Sequence, residues 1–300
     1  MKHNIGIIGN GFVGSAVASG FSLHANVRIY DVDISKTTHK LEEVINASEF
    51  IFVSVPTPMR GALGGSIDPT IMYEAFDNIS KLNRRNDNIF IVKSTVTPGT
   101  IEKLIKKYPN LKIIHSPEFL TERSARLDFI NAPRIILGGE EEHLDRVEEL
   151  FRVRFPHIKI IKTDVTTAQF IKYMGNCFFA TKVSFMNEMR QAADVLGVNW
   201  NETMAGFVSD GRIGNSHLDV PGHDGSYGFG GKCFPKDINA FISLFKEIGV
   251  EPKVMSAAWD KNLEVREDYD WQRIKGAVTE EKTSYAQPDA TGWVDEEKEK

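Results

Sequence analysis

The stretch Gly6-Ile-Ile-Gly9-Asn-Gly11-Phe-Val-Gly14 decides the fold. The β-branched run NIGII leads into it and a segment of helical period, FVGSAVASGF, leads out, so its G-x-G-x-x-G spacing stands between a predicted strand and a predicted helix. In that setting each glycine has a task. Gly9 permits a tight turn, Gly11 lets backbone approach a pyrophosphate, and Gly14 lets the helix pack closely on the sheet. A pyrophosphate there meets unpaired N–H groups and the positive end of the helix dipole. Asp31 closes the next run, VRIYD, where a carboxylate accepts from ribose hydroxyls. No arginine follows it closely, and a carboxylate repels a 2′-phosphate, so the pattern favours NAD over NADP.

Outward from this turn, short apolar runs alternate with helical segments: VRIYDV, FIFVSV, NIFIVKST, LKIIHS and RIILGG. This alternation predicts an α/β fold, a Rossmann-like, doubly wound parallel sheet over residues 1–163. At Asp164, a plausible N-cap, the pattern changes to one long helix reaching about Leu196. Further helices are predicted at about 199–209, 236–248 and 252–267, giving a smaller all-helical central domain over 164–268. The long Gly/Asp/His-rich loop before residue 236 is of a length that usually carries function. Residues 269–300 hold eight acidic and five basic side chains, and are expected to form a mobile tail or one ordered by a partner.

The composition, 41% hydrophobic and 26% charged in 300 residues, suits a globular protein of about two domains. A formal charge of −5 argues against general nucleic-acid binding. No apolar run is long enough to span a membrane and the N-terminus lacks a signal-peptide pattern, so a cytoplasmic location is expected. Cys177 and Cys233 then read as reduced thiols, and no metal site is expected.

Candidate chemistry lies beyond the predicted strands and on the long helix. Lys172 and Asn176, four apart, share one helix face; the bland alternative is a solvated face. Glu118 and Glu122 follow the fifth strand, and Ser94 and Thr95 the fourth, at the crevice where doubly wound sheets bind ligands; surface acids and helix caps are the alternatives. In Gly228-Phe-Gly-Gly-Lys-Cys233-Phe-Pro-Lys-Asp237, Pro235 suits a first helical turn and places Cys233 at the helix N-terminal end. There the dipole, Lys232 and Lys236 are expected to depress the thiol pKa, while Asp237 returns to the same face. Gly228, Gly230 and Gly231 are expected to offer their N–H groups to a substrate. An inert buried thiol, the reading given to Cys177, is the alternative.

Taken together, VPTP at 55–58, STVTPGT at 94–100, SPEFLTE at 116–122, KYMGN at 172–176, FMNE at 185–188, DGRIG at 210–214 and GFGGKCFPKD at 228–237 resemble the UDP-glucose/GDP-mannose dehydrogenase family. The resemblance runs from Gly6 to about residue 267. It implies oxidation of a nucleotide-sugar C6 alcohol to the carboxylate with two NAD, UDP-glucose being the first-choice substrate. By this likeness Cys233 is the nucleophile, Lys172 and Asn176 hold the developing oxyanion, Thr95 and Asp237 hold a water or the reacting hydroxyl, and Glu118 moves protons during hydrolysis. It also implies that Gly9, Gly11, Phe12, Val13, Gly14, Asp31, Thr57, Thr95, Glu122 and Lys236 contact NAD. Glu118, Phe119, Leu120, Lys172, Asn176, Arg212, Gly222, Ser226 and Gly230 contact the sugar nucleotide on the same basis.

Members of the family normally continue into a further α/β domain, which the charged segment after residue 268 is too short to supply, so a compact form or a completing partner chain is expected. Two other readings stay open. A β-hydroxyacid-type dehydrogenase joins a similar sheet to a long helix with Lys and Asn four apart but needs no cysteine and transfers one hydride. A non-catalytic NAD-binding relative needs none of the reactive residues. A homodimer is expected through the long helix, which carries apolar residues on more than one side.

Overall fold

The computed structural model describes residues 2–279. Its strands are β1 (His3–Ile8), β2 (Ala25–Tyr30), β3 (Phe50–Val53), β4 (Ile89–Val92), β5 (Lys112–His115), β6 (Arg134–Gly138) and β7 (Lys159–Thr163). They form one sheet in the order β2-β1-β3-β4-β5-β6-β7. Neighbours run parallel except β5 and β6, which meet in a single antiparallel pair, His115 with Gly138. The connection from 116 to 133 stays at the carboxyl end of β5 instead of crossing back, so β6 descends toward β5 from that end. The predicted doubly wound sheet is therefore mostly, not wholly, parallel.

The central strands are buried on both faces, and their alternation sorts the side chains into two cores. Ile5, Ile7, Phe50, Phe52, Ile89 and Ile91 enter one core with α1 (Phe12–Phe21) and α6 (Glu141–Arg154). Ile8, Ile51, Val53, Phe90 and Val92 enter the other with α3 (Thr70–Leu82) and α4 (Thr100–Lys107), and this core continues into the helical region through Tyr173, Phe241 and Trp259. One face of the sheet and the helices beyond it thus share a single apolar interior.

The long helix is Val165–Leu196, α7 below, and at 32 residues spans about 48 Å. Its start is fixed by Asp164, whose Oδ1 accepts from Thr167 N at 2.8 Å, and its end by Gly197 at φ +69°. The shorter helices α8 (Trp200–Val208), α9 (Phe234–Glu247) and α10 (Lys253–Val265) follow. Among the described residues no helix is long and apolar enough to cross a membrane.

The segment expected to begin a mobile tail is instead packed from Tyr269 to Thr279. Trp271 is fully buried against Tyr269 and Trp259, and its Nε1 donates to Ala62 O at 2.8 Å. Met59 N donates to Ala277 O and Thr279 N to Met59 O, so this strap pairs with the loop after β3. Two aromatic rings outweigh the charges around them. The remainder of that tail, from 280 onward, lies outside the described residues.

Candidate active site

The glycine turn has the shape that a dinucleotide requires. Gly9 sits at φ +89°, and a Cβ on it would meet Ser54 O at 2.5 Å. A Cβ on Gly14 would strike Gly9 O at 1.9 Å, whereas one on Gly11 would enter open space. The turn is closed by glycines at its base and left clear at the N-cap of α1, where backbone N–H groups are unpaired. Asp31 accepts from Asn10 N at 2.6 Å, which ties the acid after β2 to the same turn. Phe12 packs on the core below, and Val13 is half-buried beside it. These residues fit NAD: the glycines and α1 the pyrophosphate, Asp31 a ribose. Thr57, buried, donates to Thr95 O at 2.8 Å and joins the loops after β3 and β4 at the carboxyl edge of the sheet.

Three elements meet beside this edge: α7, the loop after β5 and α9. Lys172 on α7 pairs with Glu118 from the β5 loop, Nζ to Oε1 at 3.0 Å, with side chains only 3% and 5% exposed. The other oxygen of Glu118 accepts from Leu120 N at 2.7 Å, and the Phe119 ring lies under the Lys172 ammonium at 5.4 Å. One turn along α7, Asn176 Nδ2 donates to Asp237 Oδ2 at 2.6 Å. Asp237 is buried on the first turn of α9 and also contacts Lys236. Burial opposes charge on Lys172, but Glu118, then Asp237, outweigh it and hold its pKa above the ordinary lysine value.

Cys233 is the N-cap residue of α9, and Asp237 N donates to its carbonyl at 2.8 Å. The position is as predicted; the direction of its pKa is not. Burial, with Glu118 and then Asp237, pushes the thiol up to about 12, against the pull of Lys172 and Lys236. Burial first, and then the carboxylates of the loop after β5 and of the first turn of α9, thus overrule the lysines. Cys177 is buried, and burial pushes its thiol well above the usual range.

The glycine-rich motif also differs from expectation. Gly228 N donates to Asn187 Oδ1 at 3.1 Å and Gly231 N to the Asp270 carboxylate at 3.1 Å, so neither N–H is offered to a substrate. Phe229 between them exchanges two bonds with Asn262, and a Cβ on Gly230 would strike Arg266 Nη2 at 2.2 Å. The motif is a clamp that seats Cys233. Its partners Asn187, Asn262, Arg266 and Asp270 were not foreseen as site residues; only the FMNE match brought Asn187 to notice.

Glu122 lies at the rim, 3.9 Å from Lys232. Arg212 is not brought to this centre: its side chain is 90% exposed and forks onto Asp210. Gly222 and Ser226 close an exposed turn on each other, Gly222 N donating to Ser226 O at 2.8 Å.

With this geometry in view, the comparisons are specific. A model of the UDP-glucose/GDP-mannose dehydrogenase family's NAD binding domain matches residues 35–154, and a model of its central domain matches residues 166–264. The chain belongs to that family. Among curated relatives, a UDP-glucose 6-dehydrogenase of Rickettsia bellii is 33% identical over 76% of this chain and 52% of its own length. One of Rickettsia conorii is 30% identical over 86% of this chain and 66% of its own. The chain thus spans between about half and two thirds of these relatives. A solved UDP-glucose dehydrogenase from the archaeon Pyrobaculum islandicum superposes with a TM-score of 0.77 at 26% identity, covering 88% of this chain and 68% of that one. A Mycobacterium tuberculosis 3-hydroxyisobutyrate dehydrogenase shares the fold, with a TM-score of 0.73 at 16% identity over 95% of its length. As a family member the chain takes NAD as its cofactor.

Proposed function

We propose that this chain oxidises the C6 alcohol of a nucleotide sugar, UDP-glucose in the first instance, to the carboxylate. The observation that carries the reading is the seating of Cys233 beside two buried pairs, Lys172 with Glu118 and Asn176 with Asp237. A β-hydroxyacid dehydrogenase has use for the lysine and asparagine alone. A clamp built from three elements to hold one thiol favours covalent chemistry.

NAD, which the glycine turn, the start of α1 and Asp31 would hold, would supply the hydride acceptor for two oxidations. Lys172 and Asn176 hold the C6 oxygen as it loses its proton and donate to it as charge develops. Cys233 adds to the resulting aldehyde, its S–H proton passing to the new alkoxide, and a thiohemiacetal forms. Loss of the second hydride from C6, with the O–H proton of the thiohemiacetal passing through Glu118 to solvent, leaves a thioester. Glu118 takes a proton from the water that attacks it, with Thr95 and Asp237 placing that water, and the thiolate leaves and is reprotonated. One alcohol and one water with two NAD yield one carboxylate, two NADH and three protons.

Phe170, Met174, Phe178, Phe185 and Met189 run along α7 and are 37–64% exposed. The same stripe on a second copy covers this one by two-fold symmetry, which supports a homodimer.

The decisive measurement is a panel of UDP and GDP sugars with NAD, counting NADH per acid formed. Two NADH per acid is expected. One NADH and a carbonyl product overturns the reading in favour of simple alcohol oxidation, and no turnover on any sugar leaves a binding protein.

A further inference from the structure

A second buried lysine lies behind the active-site carboxylate. Lys93, directly after β4, is 5% exposed, and its Nζ donates to Ser116 Oγ at 3.2 Å and Pro117 O at 3.1 Å, the two residues that lead into Glu118. Among the described residues these are its only hydrogen-bond acceptors. A neutral amine has two N–H groups and a lone pair, while an ammonium has three N–H groups and no lone pair. With two N–H groups on these acceptors, the remaining position of the amine, a lone pair when neutral and a third N–H when charged, is left for a partner in the adjoining cavity. Lys93 and Glu118 also line the same cavity of ≈ 50 Å³, with Phe119, Asp128 and Arg134 on its walls. That volume holds about one or two waters.

Burial lowers Lys93 to about 7, with Glu118 pulling upward and Lys172 pushing down. His115, also packed near it, is pushed down to about 3 by burial first and then by the Lys93 charge, so it stays neutral with a single ring N–H. Asp128 and Arg134 complete the ionisable groups around the cavity.

We propose that Lys93 is a relay residue acting through Glu118: it accepts, across a water bridging their shared cavity, the proton that Glu118 collects during the reaction. This rests on the reading of Glu118 as the proton-transfer group. In the step, the O–H bond of the Glu118 carboxylic acid breaks and an N–H bond forms on Lys93, the bridging water taking one proton and giving another. The carboxylate is restored, and the ammonium later yields its proton to solvent. A site that releases three protons per acid from nearly buried groups needs such a route.

The test uses the full chain with UDP-glucose and NAD, the wild type and Glu118→Gln serving as controls. Lys93→Ala is expected to lower kcat by about ten- to a hundredfold with KM within about twofold. Added ethylamine should restore its rate in proportion to the free-base fraction. Lys93→Arg keeps donors and charge but cannot release a proton, so it should be as slow as Lys93→Ala. A lysine that only props the loop gives the reverse: arginine restores the rate and ethylamine does not. That pattern, or wild-type kcat in Lys93→Ala across the pH range, overturns the inference while an inactive Glu118→Gln leaves the proposed function standing. If Lys93→Ala does not fold, Lys93→Arg decides: a wild-type rate overturns the inference and a slow, folded enzyme supports it. A wild type that turns over no UDP-glucose, or an unimpaired Glu118→Gln, removes the basis of both.

Discussion

Around Cys233 the carboxylates are buried and each is answered from a distant part of the chain, Glu118 by Lys172 and Asp237 by Asn176, with the adjacent Lys236 also on Asp237. In the loop from Asp210 to Tyr227 the charges mostly answer their own neighbours. Arg212 turns to Asp210, Ser226 N to Asp224 Oδ1, and Gly222 to Ser226, while Asp224 reaches out to Arg266 at 2.8 Å and the carbonyls of Gly214 and Val220 accept from Lys182 and Arg190 on α7. The first region is assembled by the fold and keeps its geometry without a ligand's help. The second is a set of local turns resting on the apolar contacts of Leu218 and Val220 with Met186. One region is thus held by long-range pairs and the other largely by its own turns.

The strongest way to break this contrast is Cys233→Ala. Acid formation from UDP-glucose is expected to fall by at least ~10³-fold, as for loss of a nucleophile, read by NADH absorbance and mass spectrometry of the product. Undiminished acid formation would remove the thiol from the reaction. Next in size is Lys172→Met, which leaves Glu118 buried without its partner. A drop in kcat of about 10²–10³-fold is expected, together with about 3–5 kcal/mol of lost stability in urea unfolding. A loss of rate with unchanged stability would mean that the ion pair is not the buried fixture described.

A smaller effect concerns the thiol itself. Its pKa of about 12 makes the thiolate fraction rise about tenfold per pH unit, so labelling of Cys233 by iodoacetamide should be slow at pH 8 and steepen toward pH 11. Peptide mass spectrometry separates it from Cys177. Asp237→Asn removes a negative charge, which lowers the thiol pKa and should speed labelling at pH 8 by about tenfold. Labelling that is already fast and flat between pH 7 and 9 would restore the depressed thiol read from the sequence. The smallest effect is expected from Arg212→Ala: stability within about 0.5 kcal/mol of wild type, because the side chain is exposed. Only KM should move, and a fall in kcat would show that the loop belongs with the first region after all.

What was legible in the sequence is what depends on near neighbours. The glycine turn, the cap at Asp164 and the Lys172/Asn176 spacing are local patterns, and the structure keeps all three. β7 escaped notice because it is an edge strand whose Lys159 and Lys162 face solvent, which weakens its apolar signal. The direction of the Cys233 thiol is not legible because its neighbours along the chain are lysines, while the burial that raises it, and then Glu118 from the β5 loop, come only with the fold. Lys93 ends an apolar run and carries no motif of its own; only the packing of β4 against the Glu118 loop gives it a role. The aromatic strap was hidden by its charge count, since Trp271 finds its pocket on a loop two hundred residues earlier.

That strap also sets an order of events. Trp271 bonds to Ala62 across 209 residues, and Thr279 to Met59 across 220. At ribosomal rates of 5–20 residues per second, the loop bearing Thr57 waits roughly 10–45 s for the partner that secures it. A nascent chain halted before Trp271 already holds every strand of the sheet, and its loop after β3 has Trp259 Nε1 on Leu63 O but lacks the bonds to Trp271, Ala277 and Thr279. The last described segment to be made is therefore the one that finishes the first domain.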